Sequence, residues 1–369
     1  LKHNPALRVK RQKLLVALRR FESSRFFPSN PELTANGKAK LKDDPIKSSF
    51  YKLETKLSWK IPIGGWWLQR QAWLKKALAR ARQEWEAAQI KLSLDVRGAC
   101  YEVMVQRAKA NLFREMFAFF TRIHKLIEIR KQTGAANVLD LNLAYTEKLQ
   151  SQASFQVAGA LWVAKRRALR ILMGWPQNGA KLPRIYGEVG PIVHKKLNLP
   201  SLIKRALQRH YLLGIIRKRI LESKAKLAFA DAKAFPDFKF GFFYTLQEDP
   251  DLQHVLGGGL TIPLPLFQRN QEKRWTQREK VLKFQLQRKA LRFRIQQKVL
   301  QTYRLLRVYQ KTYQLYEQRF LPTLKTQLSL NMRGLRLGRF SVLKVISAQQ
   351  SQNKARMKSI ETLEKAMKS

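Results

Sequence analysis

Five histidines, one cysteine and a triple glycine are the residues of this sequence best suited to chemistry, and their spacing assembles no reaction. His3, His124, His194, His210 and His254 are scattered, with no helix-spaced pair and no cysteine beside them, so they do not sketch a zinc site. Cys100 sits alone in helix-prone sequence (DVRGACYEVMV), which excludes an intramolecular disulfide and any Cys-cluster metal site and suits a buried structural residue. Met104, Met116 and Met173 are spread apart and read as core filling rather than soft-metal ligands. Gly257-Gly258-Gly259 stands in strand-like sequence without a following helix that opens on Lys-Ser/Thr, so it is not a phosphate loop; small residues in a sheet wall fit better. No Ser/His/Asp set has a recognisable context. The expectation is a protein without catalytic residues, metal or cofactor, and not an enzyme.

The informative patterns are structural. Lys and Arg number 73 against 25 Asp and Glu, a formal charge of +48. Such a balance suggests nucleic acid or an anionic membrane surface, yet the basic residues run along the whole chain without a block or tail and read as solvated helix faces. No apolar run approaches the roughly 20 residues that a spanning helix needs. The sequence opens in mid-pattern at LKHNPAL, and the expectation is that a preceding N-terminal segment has been removed.

Three landmarks recur in order at an offset of roughly 200 residues. Phe27-Pro28 is echoed by Phe235-Pro236, Ile61-Pro62-Ile63 by Ile262-Pro263-Leu264, and TGAANVLDLNLA (133–144) by LGRFSVLKVISA (337–348). Two homologous repeats follow, 1–199 and 200–369. The first has a hairpin about 28–62 and long helices about 66–175; the second has a hairpin about 235–263 and long helices about 268–368. Each half reads helix, two strands, very long helix, turn, helix.

Period two is unbroken over 51–61. Tyr51, Leu53, Thr55, Leu57, Trp59 and Ile61 take one face, and Lys52, Glu54, Lys56, Ser58 and Lys60 the other. Phe238, Phe240, Phe242 and Tyr244 alternate with Asp237, Lys239, Gly241 and Phe243; Leu256, Leu260 and Ile262 alternate with Gly257, Gly259 and Thr261. A first strand near 31–40 is placed by analogy with 236–245. Pro62, Pro263 and Pro265 end hydrogen bonding at strand termini and mark strand–helix junctions. Beyond Pro62, Leu74, Leu78, Ala81, Trp85, Ala88 and Leu92 follow a coiled-coil seam. A helix of some 65 residues would run roughly 100 Å, which demands an elongated bundle. Pro322 should kink or divide the second long helix.

Such hairpins admit two readings. In one they form a soluble half-buried sheet whose aromatic face packs on helices. In the other, copies share one barrel, and three copies make a twelve-stranded membrane β-barrel with apolar residues to lipid and charged residues to a wet lumen. Trp59, Trp66, Trp67 and Tyr51 then suit an interfacial aromatic girdle. The long helices favour the second reading, because they lead away from the hairpins and cannot cover them.

HNPAL (3–7), FFPSNPEL (26–33), KIPIGG (60–65), TIPLPLFQRNQ (261–271) and GRFSVLKVISAQQ (338–350) together resemble the TolC-like outer-membrane efflux channel family, and its heavy-metal (CzcC/CusC-type) branch above all. The likeness spans nearly the whole chain. It implies a mainly α protomer with a small β part, internally duplicated, trimerising into a membrane β-barrel continued by an α-helical barrel in the periplasm. It also implies a passive exit duct of a tripartite pump in the outer membrane of a Gram-negative-type bacterium. The implied partners are two further copies, a periplasmic adaptor protein, an inner-membrane efflux transporter and outer-membrane lipid; no nucleic acid is expected. Heavy-metal cations are the cargo the branch suggests.

The family's adaptor-docking tips fall on Thr133, Gly134, Ala135 and Ala136 and on Leu337, Gly338, Arg339 and Phe340. The lipid-facing set falls on Tyr51, Leu53, Leu57, Trp59, Ile61, Phe238, Phe240, Phe242 and Tyr244. At the periplasmic entrance Asp140 keeps an acid, but related channels often carry acids six and nine positions past the second tip glycine, where this chain has Lys344 and Ser347. A cation-binding ring is not expected there, and an anion-tolerant mouth is. A basic helical nucleic-acid-binding or scaffold protein is the competing reading, and a soluble coiled-coil adaptor a third. The first leaves the duplicated Pro-terminated hairpins unexplained, and the second lacks the alternation at 51–61.

Overall fold

The computed structural model describes residues 4–40, 50–175, 197–248 and 251–368. Along the chain these form α1 (Pro5–Ser23), β1 (Glu32–Lys40), β2 (Phe50–Ile61), α2 (Trp66–Gln132), α3 (Val138–Met173), α4 (Leu199–Arg209), α5 (Tyr211–Ala232), β3 (Phe238–Glu248), β4 (Leu252–Thr261), α6 (Gln271–Leu315), a π-helical turn (Tyr316–Phe320), α7 (Leu321–Arg336) and α8 (Val342–Lys368). The chain is mainly helical, and α2 alone has 67 residues. Two compact units divide it. One comprises Val9–Ala87 and Arg209–Phe293; the other comprises Leu1–Arg8, Ala88–Gln208 and Arg294–Ser369.

The first unit holds the four strands in one antiparallel sheet of order β1-β2-β3-β4. Both hairpins therefore join through a β2–β3 pairing, which the sequence did not specify. Register follows the side-chain alternation: Leu57 faces Leu33 and Phe242, Trp59 faces Phe240, and Phe240 faces Leu260. A one-residue slip would send every one of these to the opposite side. The helical part packs α5 on the start of α2. Leu74 of the expected seam is buried, while Leu78, Ala81 and Trp85 are half-buried. Leu213, Ile216 and Ile220 of α5 are buried, and Gly214 admits the side chain of Gln83. Arg80 bonds to Glu222 and Glu84, and Arg219 to Glu84 at 3.1 Å. Burial pushes the Glu84 carboxyl up, but the bonds from Arg219 and Arg80 outweigh it and hold the group below its ordinary range.

In the second unit the helices are built for reversal. Asn137 caps α3 by accepting the Asp140 amide at 2.7 Å, and Gly174 ends that helix in the left-handed region at φ 65°. Pro322 is the second residue of α7 and directly follows helical backbone, since Phe320 and Leu321 keep right-handed helical angles. The strain its ring imposes one turn earlier is absorbed by the π-helical turn, whose last bond runs from the Leu321 amide to the Tyr316 carbonyl. The second long helix is thus divided at the expected proline. Ser359 of α8 donates to Glu317 of that turn at 2.6 Å. An ion-pair chain ties three helices: Lys165 of α3 and Lys368 of α8 meet Glu102 of α2 at 2.8 and 3.0 Å, while Lys109 of α2 meets Glu364 of α8 at 3.2 Å.

Candidate functional site

The two helix reversals are alike in detail. After α2, the Gly134 amide bonds to the Lys131 carbonyl at 3.1 Å and the Ala135 amide to the Arg130 carbonyl at 2.8 Å. After α7, the Gly338 amide bonds to Leu335 at 3.0 Å and the Arg339 amide to Gly334 at 2.9 Å. This is the Schellman pattern twice, and each needs its residue at positive φ: Gly134 at 73° and Gly338 at 74°. Thr133, Gly134 and Ala135 are exposed and Ala136 is half-buried; Leu337, Gly338, Arg339 and Phe340 are exposed in the matching turn.

Behind the turns lies a shared core. Phe120, Ile123 and Ile127 of α2, Ala144 of α3, Leu335 of α7 and Val342, Val345 and Ile346 of α8 form one buried cluster, with Ile127 and Val345 fully enclosed. Arg130 crosses from one reversal to the other and donates Nη1 to the Leu335 carbonyl at 2.5 Å. Nothing in the sequence marked this residue. Phe340 folds back over Gly334, and the Lys344 ammonium stands 4.7 Å above its ring. Lys344 and Ser347 lie on the exposed side of α8, and Asp140 is half-buried in the first turn of α3.

The sheet presents a second surface. Tyr51, Leu53, Leu57, Trp59 and Ile61 share a side with Phe238, Phe240, Phe242 and Tyr244. Most are exposed, Leu53 at 50% and Phe242 at 54%, while Phe238 is half-buried. No helix of the described residues covers this side, and none is long and apolar enough to cross a membrane. The first and last strands, β1 and β4, each keep one edge without a strand partner among the described residues. Trp66, one of the residues expected in the aromatic girdle, also has a structural contact. Its indole donates to Asp237 at 2.5 Å and packs on Phe229, so it fastens the sheet to the helices.

Pro62 directly follows β2, and Pro263 and Pro265 lie in the irregular stretch after β4. Each junction ends on one left-handed residue just before the long helix, Gly65 at φ 64° before α2 and Asn270 at φ 58° before α6. Asparagine is the side chain best suited to that region after glycine, and its amide reaches the Ala230 carbonyl at 2.8 Å. Gly64 lies so close to Phe235 and the Ala232 carbonyl that a Cβ would come within 2.8 Å of that carbonyl.

The chemistry-bearing residues have ordinary surroundings. Burial pushes the Cys100 thiol up, away from reactivity. His124 packs on Tyr145, His254 shares a 2.7 Å hydrogen bond with Tyr244, and His210 caps α5 while burial lowers its pKa. His3 and His194 lie outside the described residues. Among the described residues no group of three or more His, Cys, Asp or Glu could hold a metal ion.

The family model described as outer membrane efflux protein matches residues 1–175 and 202–367. The chain belongs to the outer membrane efflux protein family. Membership places it in the outer membrane, extending into the periplasm. It is 22% identical over 229 residues to the cobalt-zinc-cadmium resistance protein CzcC of Cupriavidus metallidurans. That match covers 62% of this chain and 54% of CzcC, so the chain spans about half the length of this curated relative. Its fold is similar to those of CusC (TM-score 0.72, 16% identity, 99% of this chain and 88% of that one) and VceC of Vibrio cholerae (0.71, 15%, 100% and 91%). CmeC of Campylobacter jejuni is similar too (0.73, 13%, 98% and 80%). The family match bears out the TolC-like reading, and the likenesses to these structures bear out its fold. They give no support to the nucleic-acid or scaffold alternative.

Proposed function

We propose that this efflux protein is the passive outer-membrane duct of a tripartite pump, a homotrimer that receives cargo from an inner-membrane transporter through a periplasmic adaptor. The observation that carries the proposal is the sheet: four strands, two unpaired edges and one uncovered apolar side. Strand edges left open invite pairing with other chains, and three copies paired edge to edge give twelve strands, a size at which membrane barrels close. The apolar side then meets lipid, with Pro62, Pro263 and Pro265 at the rim where strands hand over to helices.

Two repeats, 1–199 and 200–369, build the protomer in this reading. Support comes from the paired Schellman reversals, the paired left-handed residues at the junctions and the two segments of the family match. The reversals at 133–136 and 337–340 are the adaptor-docking tips, and Asp140, Lys344 and Ser347 lie at the entrance. The protein performs no catalysis in this role. Similarity to CzcC makes heavy-metal species the cargo to test first.

The test is extraction from outer membranes followed by electrophoresis with and without boiling, and conductance in planar bilayers. Heat-sensitive trimers that form discrete pores are expected; a monomer in the soluble fraction would refute the proposal. Photo-crosslinkers at Ala135 and Leu337 should capture the co-expressed adaptor, whereas crosslinkers at exposed Lys358 should not.

A further inference from the structure

We infer that the wet side of the sheet selects anions, so that the cargo crosses the outer membrane in anionic form. This rests on the duct reading above, since only a closed barrel turns that side into a lumen. Opposite Leu53, Leu57 and Trp59, strands β1 to β3 line up Lys38, Lys52, Lys56, Lys60 and Lys239 against Glu32 and Glu54. β4 adds no charged side chain there; its contribution is Gln253, Val255, Gly257, Gly259 and Thr261.

The lysines are not spread to avoid one another. Lys38 is directly opposite Lys52, and Lys60 directly opposite Lys239. Like charges so placed destabilise a sheet unless a counter-charge intervenes. Lys60 and Lys239 have one each, Asp237 at 3.4 Å and Glu32 at 3.0 Å. Lys38, Lys52 and Lys56 have no ion-pair partner among the described residues, and Lys38 and Lys56 are exposed. Glu54 is the one strand carboxylate left for these three.

Three copies around an axis repeat this excess as rings. Rings of lysine or arginine favour anions where rings of carboxylates favour cations, and lumen residues are the positions at which membrane barrels set selectivity. Screening at ~0.1 M salt acts over about 10 Å, so ions passing close to the wall still feel the ammonium groups. A metal would pass as an oxyanion or an anionic complex rather than as the free divalent cation.

The experiment is the reversal potential of the purified trimer in a planar bilayer under a potassium chloride gradient. Wild-type protein should show chloride more permeant than potassium. The triple variant Lys38→Glu, Lys52→Glu, Lys56→Glu should carry the reversal potential through zero to the cation side. Should that variant not assemble, the triple change of the same residues to Gln should bring the potential toward zero. Potassium preference in the wild type, or a Gln triple variant that leaves the potential unmoved, would overturn the inference alone. Wild-type trimers that conduct no ions would overturn the duct reading beneath it.

Discussion

The Phe340–Gly334 contact allows a prediction whose sign changes with background. Gly334 is buried in the last turns of α7, and a Cβ built on it would come within 2.8 Å of the Phe340 Cγ and nearer still to Cδ2. Gly334→Ala therefore drives the ring out of place at an overpacking cost of about 1–3 kcal/mol. Alanine in a helix gains roughly 0.5–1 kcal/mol over glycine, which offsets part of it. The net loss is on the order of 1–2 kcal/mol, and each 1.4 kcal/mol is about tenfold in an equilibrium. The Arg339 and Phe340 amides, bonded to the Gly334 carbonyl at 2.9 and 3.2 Å, report it. Hydrogen exchange measured by mass spectrometry should speed up about tenfold across 337–341, because exchange follows the local opening free energy. With Phe340→Ala already present the ring is gone, only the helix gain remains, and the same Gly334→Ala change should slow exchange by a few-fold. Acceleration in both backgrounds would refute the reasoning.

Arg130→Met should free the Leu335 carbonyl, cost about 1–3 kcal/mol, and speed exchange in both reversals at once; acceleration confined to 133–136 would contradict a link between them. Ile127→Ala removes a fully enclosed side chain, should cost about 2–5 kcal/mol, and should lower the temperature at which the helical signal melts in circular dichroism. Bonds from Lys165 and Lys368 hold the Glu102 carboxyl below its ordinary pKa of 4.5 despite some burial. Its stabilisation is therefore present above the ordinary value and is lost as pH falls through the lower folded one. The melting advantage of wild type over Glu102→Gln should be constant from neutrality down to pH ~5 and vanish in stronger acid; an advantage that grows on acidification would contradict this.

Local regularity made much of the fold legible. Alternation at 51–61 and 238–244 gave the strand faces because a sheet repeats every two residues, and the proline-free run after Pro62 gave α2. Gly134 and Gly338 marked the reversals because few other residues accept positive φ. The β2–β3 pairing was hidden, since it joins segments far apart and nothing local encodes the partner. Asn270 carried a readable signal, an asparagine immediately before a helix, yet its equivalence to Gly65 emerged only with the backbone angles. Arg130 was hidden for a different reason: among so many basic residues, the one that bonds across to Leu335 has no distinguishing neighbour. The bond from the Trp66 indole to Asp237 was hidden too, because composition does not say which carboxylate an indole meets.

The π-helical turn at Tyr316–Phe320 also fixes a phase. An α-helix advances about 100° per residue, so one residue acts on the strand of helix beyond it as an angular step rather than a length. The wide turn uses one residue more than an α-helical turn on about the same rotation, its closing bond running from the Leu321 amide to the Tyr316 carbonyl. Removing a single residue here would therefore restore a plain α-helical ladder and leave Leu324, Gly334 and Leu335 on the core, whereas the same deletion within α7 ahead of Leu324 would swing them off it by over a quarter turn. The turn is the one place between α6 and the second reversal where the residue count can change without changing which face meets the core.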